Sequence, residues 1–536
     1  MRRSIFLVLI LFWSLQAQAP SDLVKKIQDE LMGPFPPPEA KVDPGVPHGE
    51  FLEGSFSDSK IYPGTENRFQ VYVPAEYDPA KPACLLVKLD GLGSFEGTVL
   101  DNLIARKEVP VIIGVGIMPG SIASGAKTVR FNRSYEFDSI NNRFPDFVLN
   151  ELLPRVQSML TRDGRLIRLS MDGNDHAATG GSTGGIGSFT LAWQRPDQFT
   201  RVYSVIGTFV SMRGGNEYPV LIRKTDPKPI RIFLEDGSRD AWNPLFGSWY
   251  DANLNMESAL SFAGYDVAHA WGTHGHNGQA GQVIFPDVMR WLWRDYPAPI
   301  KAGVSANSTL QEITIPEEGW RKATAGEKGQ PPGSDGTRYG AVPGEKNLAA
   351  AKSIVGYRSI VTHDGTVYVS EPGATSRIWR IKGGEKKLMD EGTFFASGIA
   401  FSPDGKLFYV ADKSSKWVYS YVVQPDGSFA DKQPFFWLHT SDIEGDSGAE
   451  DLAVDTHGNL YVATRLGIQI CDQNGRVRAI LPLPAPASAA RRLWFGGPDF
   501  DVLYATDGTQ VFSRKLKVRG YAPWSAPIAV TSQGAG

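Results

Sequence analysis

The sequence predicts a doubly wound α/β domain with a mostly parallel sheet, followed by an all-β propeller domain. Three observations predict it. From residue 49 to residue 298, near-continuous apolar runs of strand length alternate with stretches at helical spacing, the pattern of a sheet covered by helices on both faces. Midway, a strand-like run ends in Gly180-Gly181-Ser182-Thr183-Gly184 and passes at once into a helical run. Beyond Pro299, strand-turn-strand units recur with the roughly 40- to 50-residue period of propeller blades. At 536 residues the chain exceeds one ordinary core, which fits two domains.

In order along the chain, residues 1–19 read as an export signal. Met1-Arg2-Arg3 is a positive start, and residues 5–15 form an apolar stretch short of the about 20 residues that span a bilayer. Ala17-Gln18-Ala19 is a small-residue cleavage site, cut after Ala17 or Ala19. No cysteine follows to carry a lipid, and no later stretch has the length and apolarity of a membrane helix. The mature chain is therefore expected to be periplasmic or secreted, with no membrane contact after the signal is removed.

Residues 20–48 read as an N-terminal extension and 49–298 as the α/β domain. Within it, residues 82–89 and 109–117 are strands buried on both faces, and 201–206 and 230–234 are further strands. Phe147, Val148, Leu152, Leu153 and Val156 fall at helical spacing, as do Val283, Val288, Met289 and Leu292 near the end. Residues 299–345, rich in Gly and Pro, read as a linker or an irregular first blade, and 346–532 as the propeller. Residues 359–369, 398–410 and 451–462 repeat one hairpin unit, turning at Gly365, Gly405 and Gly458, and 493–504 is a degenerate copy. Five or six blades are expected.

Charge and cysteine content narrow the function. A formal net charge of −3 gives no basic surface for nucleic acid or an anionic membrane. Cys84 and Cys471 lie far apart in apolar runs and read as two buried free thiols.

The Gly-x-Ser-x-Gly run carries chemistry because of where it stands. A strand followed by a sharp turn and a helix holds a serine Oγ exposed at the carboxyl edge of a sheet, the nucleophile elbow of an α/β-hydrolase domain. The flanking glycines are needed because β-carbons would clash in so tight a turn. A serine hydroxyl is a poor nucleophile until a base takes its proton, and this fold places acid and then histidine after the serine. Downstream of the strand ending at Leu234, the acid is Asp236 or Asp240; after the next strand, the base is His274 or His276.

These residues resemble the esterases related to enterochelin esterase, close to esterase D and to feruloyl and acetylxylan esterases. The resemblance spans most of the first domain and rests on residues 133–138, the elbow, 192–199, 207–209, 213–215, 235–243 and 275–277. It implies the triad Ser182, Asp240 and His276. It also implies an oxyanion hole from the N–H of Thr183 and the loop at Gly91 and Leu92, and polar substrate-side or loop-ordering roles for Arg133 and Glu136. No cofactor is implied. The second domain resembles gluconolactonase-type propellers through residues 397–405 and 450–455. Those lactonases hold a divalent cation with Glu, Asn and Asp. Here Ser397 stands at the Asn position and Glu450 at the Asp position, the first Glu has no counterpart, and no metal is expected; Glu450 and Asp451 are the remaining candidates.

The resemblance implies a serine carboxylic-ester hydrolase, acting on feruloylated or acetylated plant polysaccharide or on siderophore-type esters, and the first nineteen residues imply that it is exported. Its alternatives are a metal-dependent lactonase seated in the propeller and a non-catalytic carbohydrate-binding protein.

Overall fold

The computed structural model describes residues 22–125, 127–324, 347, 358–440, 445–487 and 489–528. The expected export signal and most of residues 325–357 lie outside the described residues.

The first sheet has eight strands: β1 (Glu50–Phe56), β2 (Asn67–Val73), β3 (Cys84–Leu89), β4 (Ile112–Ile117), β5 (His176–Gly181), β6 (Arg201–Val205), β7 (Arg231–Gly237) and β8 (Asp266–Gly272). Their spatial order is β1-β2-β4-β3-β5-β6-β7-β8. β2 is antiparallel to both β1 and β4, and every neighbour from β4 to β8 is parallel. This is the α/β-hydrolase architecture. The apolar runs are continuous because alternate side chains enter different layers. Leu85, Val87 and Leu89 of β3 join Ile186 and Phe189 on one face. Leu86 joins Val99, Leu100, Phe285 and Met289 on the other.

Four helices matter for the site: α1 (Ser94–Ala105), α2 (Thr183–Gln194), α3 (Trp249–Phe262) and α4 (Gln279–Leu292). The helical stretch around Phe147 runs from Arg143 to Gln157 with a π turn over Val148–Leu152. The turn adjoins Pro154, which has no N–H to give an α-helical ladder. Both cysteines are free and buried.

The all-β part forms four four-stranded sheets among the described residues, against the five or six expected. The inner strands are Arg358–Val361, Ala396–Phe401, Asp451–Val454 and Arg492–Gly496. All four line one axial cavity. The unit at 493–504, degenerate as sequence, belongs to a full blade. That blade takes its outermost strand, Arg321–Lys322, from before the first blade, paired antiparallel with Val511–Lys515. The described part of 299–345 thus supplies a closing strand to the last blade. Gly365, Gly405 and Gly458 have φ of +78°, +68° and +85°, the left-handed conformation the hairpin turns require.

The two parts meet through the helix Tyr218–Lys224 and the strand Val477–Leu481. Thr225 bridges to Ile480, and the Asp226 N–H donates to the Ile480 carbonyl at 3.0 Å. Asp226 accepts from Arg514 at 2.6 Å, and Lys224 Nζ donates to His439 Nε2 at 2.9 Å.

Candidate active site

Ser182 stands between the end of β5 and the start of α2, with φ +57° and ψ −120°. A non-glycine residue holds that conformation only where its surroundings enforce it. Here its N–H donates to Val205 O at 2.9 Å, and its carbonyl accepts from Thr208 N at 3.1 Å and Gly185 N at 2.9 Å. The expected glycine requirement is met at both motif positions. A β-carbon on Gly180 would lie 2.6 Å from the Gly184 backbone, and one on Gly184 would lie 3.2 Å from Leu89 and from Asp90 Oδ2. Gly185 is equally constrained, 2.7 Å from Ser204 Oγ, so the tight turn extends one residue past the motif.

The structure brings Ser182, His276 and Asp240 together. His276 Nε2 lies 2.8 Å from Ser182 Oγ, and His276 Nδ1 lies 2.5 Å from Asp240 Oδ1. The Asp240 side chain is fully buried and that of His276 is 33% exposed, so the acid is shielded while the base faces the opening. Burial works to raise the Asp240 carboxyl, but hydrogen bonds from His276, Asp236 and the Ala241 N–H hold it below the usual carboxylate range.

The two alternatives fall elsewhere. His274 is buried with its Nε2 2.8 Å from Glu235 Oε1, away from the serine. Asp236 is fully buried, accepts from the Gly237 N–H at 2.6 Å and from Asn253 Nδ2 at 2.8 Å, and meets Asp240 instead of a histidine.

Sequence reasoning missed the residues that steady the serine and imidazole. Thr208 Oγ1 lies 3.2 Å from Ser182 Oγ and accepts from Trp249 Nε1 at 3.1 Å. The Trp249 ring meets the His276 ring edge-on, with centroids 5.8 Å apart. Thr208 lies in the quoted stretch 207–209, which was the available signal. Trp249 gave none, because it opens a helix far from the elbow in sequence.

Thr183 opens α2, so its N–H has no intrahelical acceptor and sits at the positive end of the helix dipole. The second half of the expected oxyanion hole is less open. The Gly91 N–H donates to Ile117 O at 3.2 Å, which removes Gly91 as a donor. The Leu92 N–H makes only a 3.4 Å contact with Gln70 Oε1. Arg133 holds the loop over the elbow: its guanidinium donates to both Asp90 oxygens at 2.7 and 2.6 Å and to Gly181 O at 3.3 Å. Glu136 is not at the site. It is fully buried, accepts from the Gly120 N–H and Asn132 Nδ2, and is pushed up to about 7 by burial, so it orders its loop and cannot reach a substrate.

The propeller residues do not fit a divalent cation. Ser397 donates to the carbonyls of Ala411 and Ala449. Glu450 pairs with Lys413 at 2.8 Å and Arg491 at 3.8 Å, and Asp451 with Arg358 at 3.1 Å and Arg492 at 3.7 Å. A hard cation needs several oxygen ligands, and both carboxylates are already neutralised by basic side chains. Among the described residues no group of three or more His, Cys, Asp or Glu could hold a metal ion. No described helix is long and apolar enough to cross a membrane.

Residues 61–307 match the family described as "Putative esterase", and residues 360–509 match the SMP-30/gluconolactonase/LRE-like region. Three solved structures are similar to parts of this chain. A ferulic acid esterase is 15% identical over 46% of this chain and 98% of its own, with a TM-score of 0.36. An enterobactin esterase from Shigella flexneri, in the presence of enterobactin, is 22% identical over 48% of this chain and 64% of its own, with a TM-score of 0.37. A gluconolactonase from Xanthomonas campestris is 21% identical over 30% of this chain and 59% of its own, with a TM-score of 0.26. The chain thus spans less than two thirds of the enterobactin esterase and gluconolactonase structures.

Proposed function

From an esterase-family region joined to a gluconolactonase-like propeller, we propose that the chain is an exported serine carboxylic-ester hydrolase working through an acyl-enzyme. The observation that carries this reading is the contact of His276 with Ser182 at 2.8 Å and with Asp240 at 2.5 Å, on an elbow whose serine has positive φ. Ser182 Oγ attacks the ester carbonyl carbon while His276 Nε2 takes the hydroxyl proton. Asp240 fixes the imidazole with its Nδ1–H toward the acid and stabilises the imidazolium. The Thr183 N–H stabilises the oxyanion; one such donor is worth roughly 3–4 kcal/mol of barrier. As the tetrahedral species collapses, the alcohol leaves with the proton from His276. Water then repeats the sequence on the acyl-Ser182, with His276 as base, and releases the acid.

Feruloyl or acetyl esters of plant polysaccharide, or siderophore-type esters, are the proposed substrates. Trp242 and Leu245, 71% and 78% exposed, sit on the hairpin that follows Asp240 in the chain, apolar surface that suits an aromatic or sugar-bearing substrate. The proposed export rests on the signal-like first nineteen residues.

The test is hydrolysis of p-nitrophenyl acetate, methyl ferulate, acetylated xylan and a gluconolactone by the full chain and by Ser182→Ala, with and without EDTA. Ester turnover should fall at least about 10³-fold in the variant and be indifferent to the chelator. Turnover that survives the substitution, or that EDTA removes, would move the chemistry to the propeller.

A further inference from the structure

Resting on that reading of Ser182, Asp240 and His276, we propose that Asp236 is a positioning residue that keeps its proton and donates it to Asp240. The triad is then the outer end of a chain running Asn253–Asp236–Asp240–His276–Ser182.

The argument starts from Asp240. Its Oδ1 receives His276 Nδ1 at 2.5 Å and the Ala241 N–H at 2.5 Å. Its Oδ2 is enclosed by protein and receives no N–H. An ionised oxygen shut away from water requires a donor. The neighbouring Asp236 carboxyl is likewise fully buried, and the two acids interact. A contact between two carboxyl groups is a hydrogen bond only when one of them carries a proton, and two buried carboxylates side by side do not both ionise.

The surroundings decide which one is charged. Asp240 faces the histidine and a backbone N–H. Asp236 is beside Asp240, and burial together with the acids Asp240 and Glu235 disfavours its charged form. Burial, with Asp240 beside it, pushes Asp236 well above the usual carboxylate range, while the histidine and backbone N–H hold Asp240 below it, so Asp236 is the protonated partner. The remaining contacts of Asp236 hold it in place as an acceptor: the Gly237 N–H at 2.6 Å and Asn253 Nδ2 at 2.8 Å. Asn253 Nδ2 also donates to Gly207 O at 2.9 Å and Trp249 O at 3.1 Å. These bonds tie β7 to α3 and to the segment before Thr208, the elements that surround Ser182 and His276. Asp236 thereby fixes the Asp240 rotamer with Oδ1 on the imidazole, and it draws charge from the carboxylate, moderating how strongly Asp240 holds the proton on His276.

Two substitutions in the full chain test this, with pH profiles of kcat/KM and thermal melting alongside. Asp236→Asn keeps an N–H donor for Asp240 but leaves one acceptor oxygen for the Gly237 N–H and Asn253 Nδ2. It should leave the acid limb in place and lower kcat less than Asp236→Leu does. Asp236→Leu keeps the branched outline in a larger, apolar side chain and removes the donor. It should lower kcat about 10- to 100-fold and displace the acid limb upward, because Asp240 then holds the imidazolium more tightly. A downward displacement of the acid limb in Asp236→Asn would overturn the proposal, since it would mean that a negative charge had been removed. An unchanged kcat and acid limb in folded Asp236→Leu would also overturn it. If Asp236→Leu does not fold, the Asp236→Asn profile decides alone. Ser182→Ala runs in parallel: turnover surviving there would overturn the parent reading, whereas its loss with a failed Asp236 series overturns only this one.

Discussion

At the scale of single residues, the site is a set of choices between near neighbours that distance resolves. His274 and His276 stand two residues apart, yet one is buried against Glu235 and the other bridges Ser182 and Asp240. Asp236 and Asp240 divide in the same way, one turned into the protein and one onto the imidazole. Asp240→Ala should lower kcat by about 10³- to 10⁴-fold with KM little changed, because the imidazole loses the acceptor that fixes its tautomer and stabilises its charged form. Steady-state kinetics on the same ester checks it. A change in KM alone would assign Asp240 to binding. The triad candidates were legible in the sequence because chain order and turn chemistry confine them to two short segments. The choice within each segment came from the resemblance, since two carboxylates or two histidines on one loop look alike to any spacing argument. Thr208, Trp249 and Asn253 were not legible: each contributes one hydrogen bond or ring contact that exists only once distant elements pack.

At the scale of elements, legibility follows burial. β3 and β4 are enclosed on both faces and read as continuous apolar runs, so the sequence marks them to within three residues. β1 is an edge strand of mixed exposure, and its residues carry neither an apolar run nor a clean alternation. The elbow was legible for a different reason. A β-carbon at Gly180 would come within 2.6 Å of the next turn's backbone, so steric exclusion writes itself into the sequence as glycine. The blade hairpins at Gly365, Gly405 and Gly458 are the same case, each needing positive φ. The four-stranded build of the last described blade was not legible, because its outermost strand, Arg321–Lys322, is two residues long and no pattern of that length can announce it.

At the scale of the whole molecule, the esterase region and the propeller share an interface with its own pH dependence. His439 is buried beside Lys224, and burial followed by the lysine charge lowers it to about 4. The folded state therefore keeps this imidazole neutral, accepting from Lys224, while the unfolded chain protonates it near 6.5. Because the folded value is depressed, the contribution is fully present above about pH 6.5 and is lost as pH falls toward 4, up to about 3 kcal/mol in all. Thermal unfolding between pH 7.5 and 4 should show this loss in the native chain and a flatter profile in His439→Gln. Equal slopes in the two would remove His439 from the interface account. The same interface joins Asp226 to Arg514 of the last blade, so the propeller buttresses the esterase region at a helix distant in sequence from the elbow.

The central claim is that Ser182 is the nucleophile. Its most direct measurement is reaction of the full chain with a serine-directed fluorophosphonate, followed by mass spectrometry of the peptides. The account predicts one adduct per chain, on Ser182, formed slowly or not at all in His276→Ala. Absence of labelling in the folded native chain, or an adduct at another residue, would contradict it.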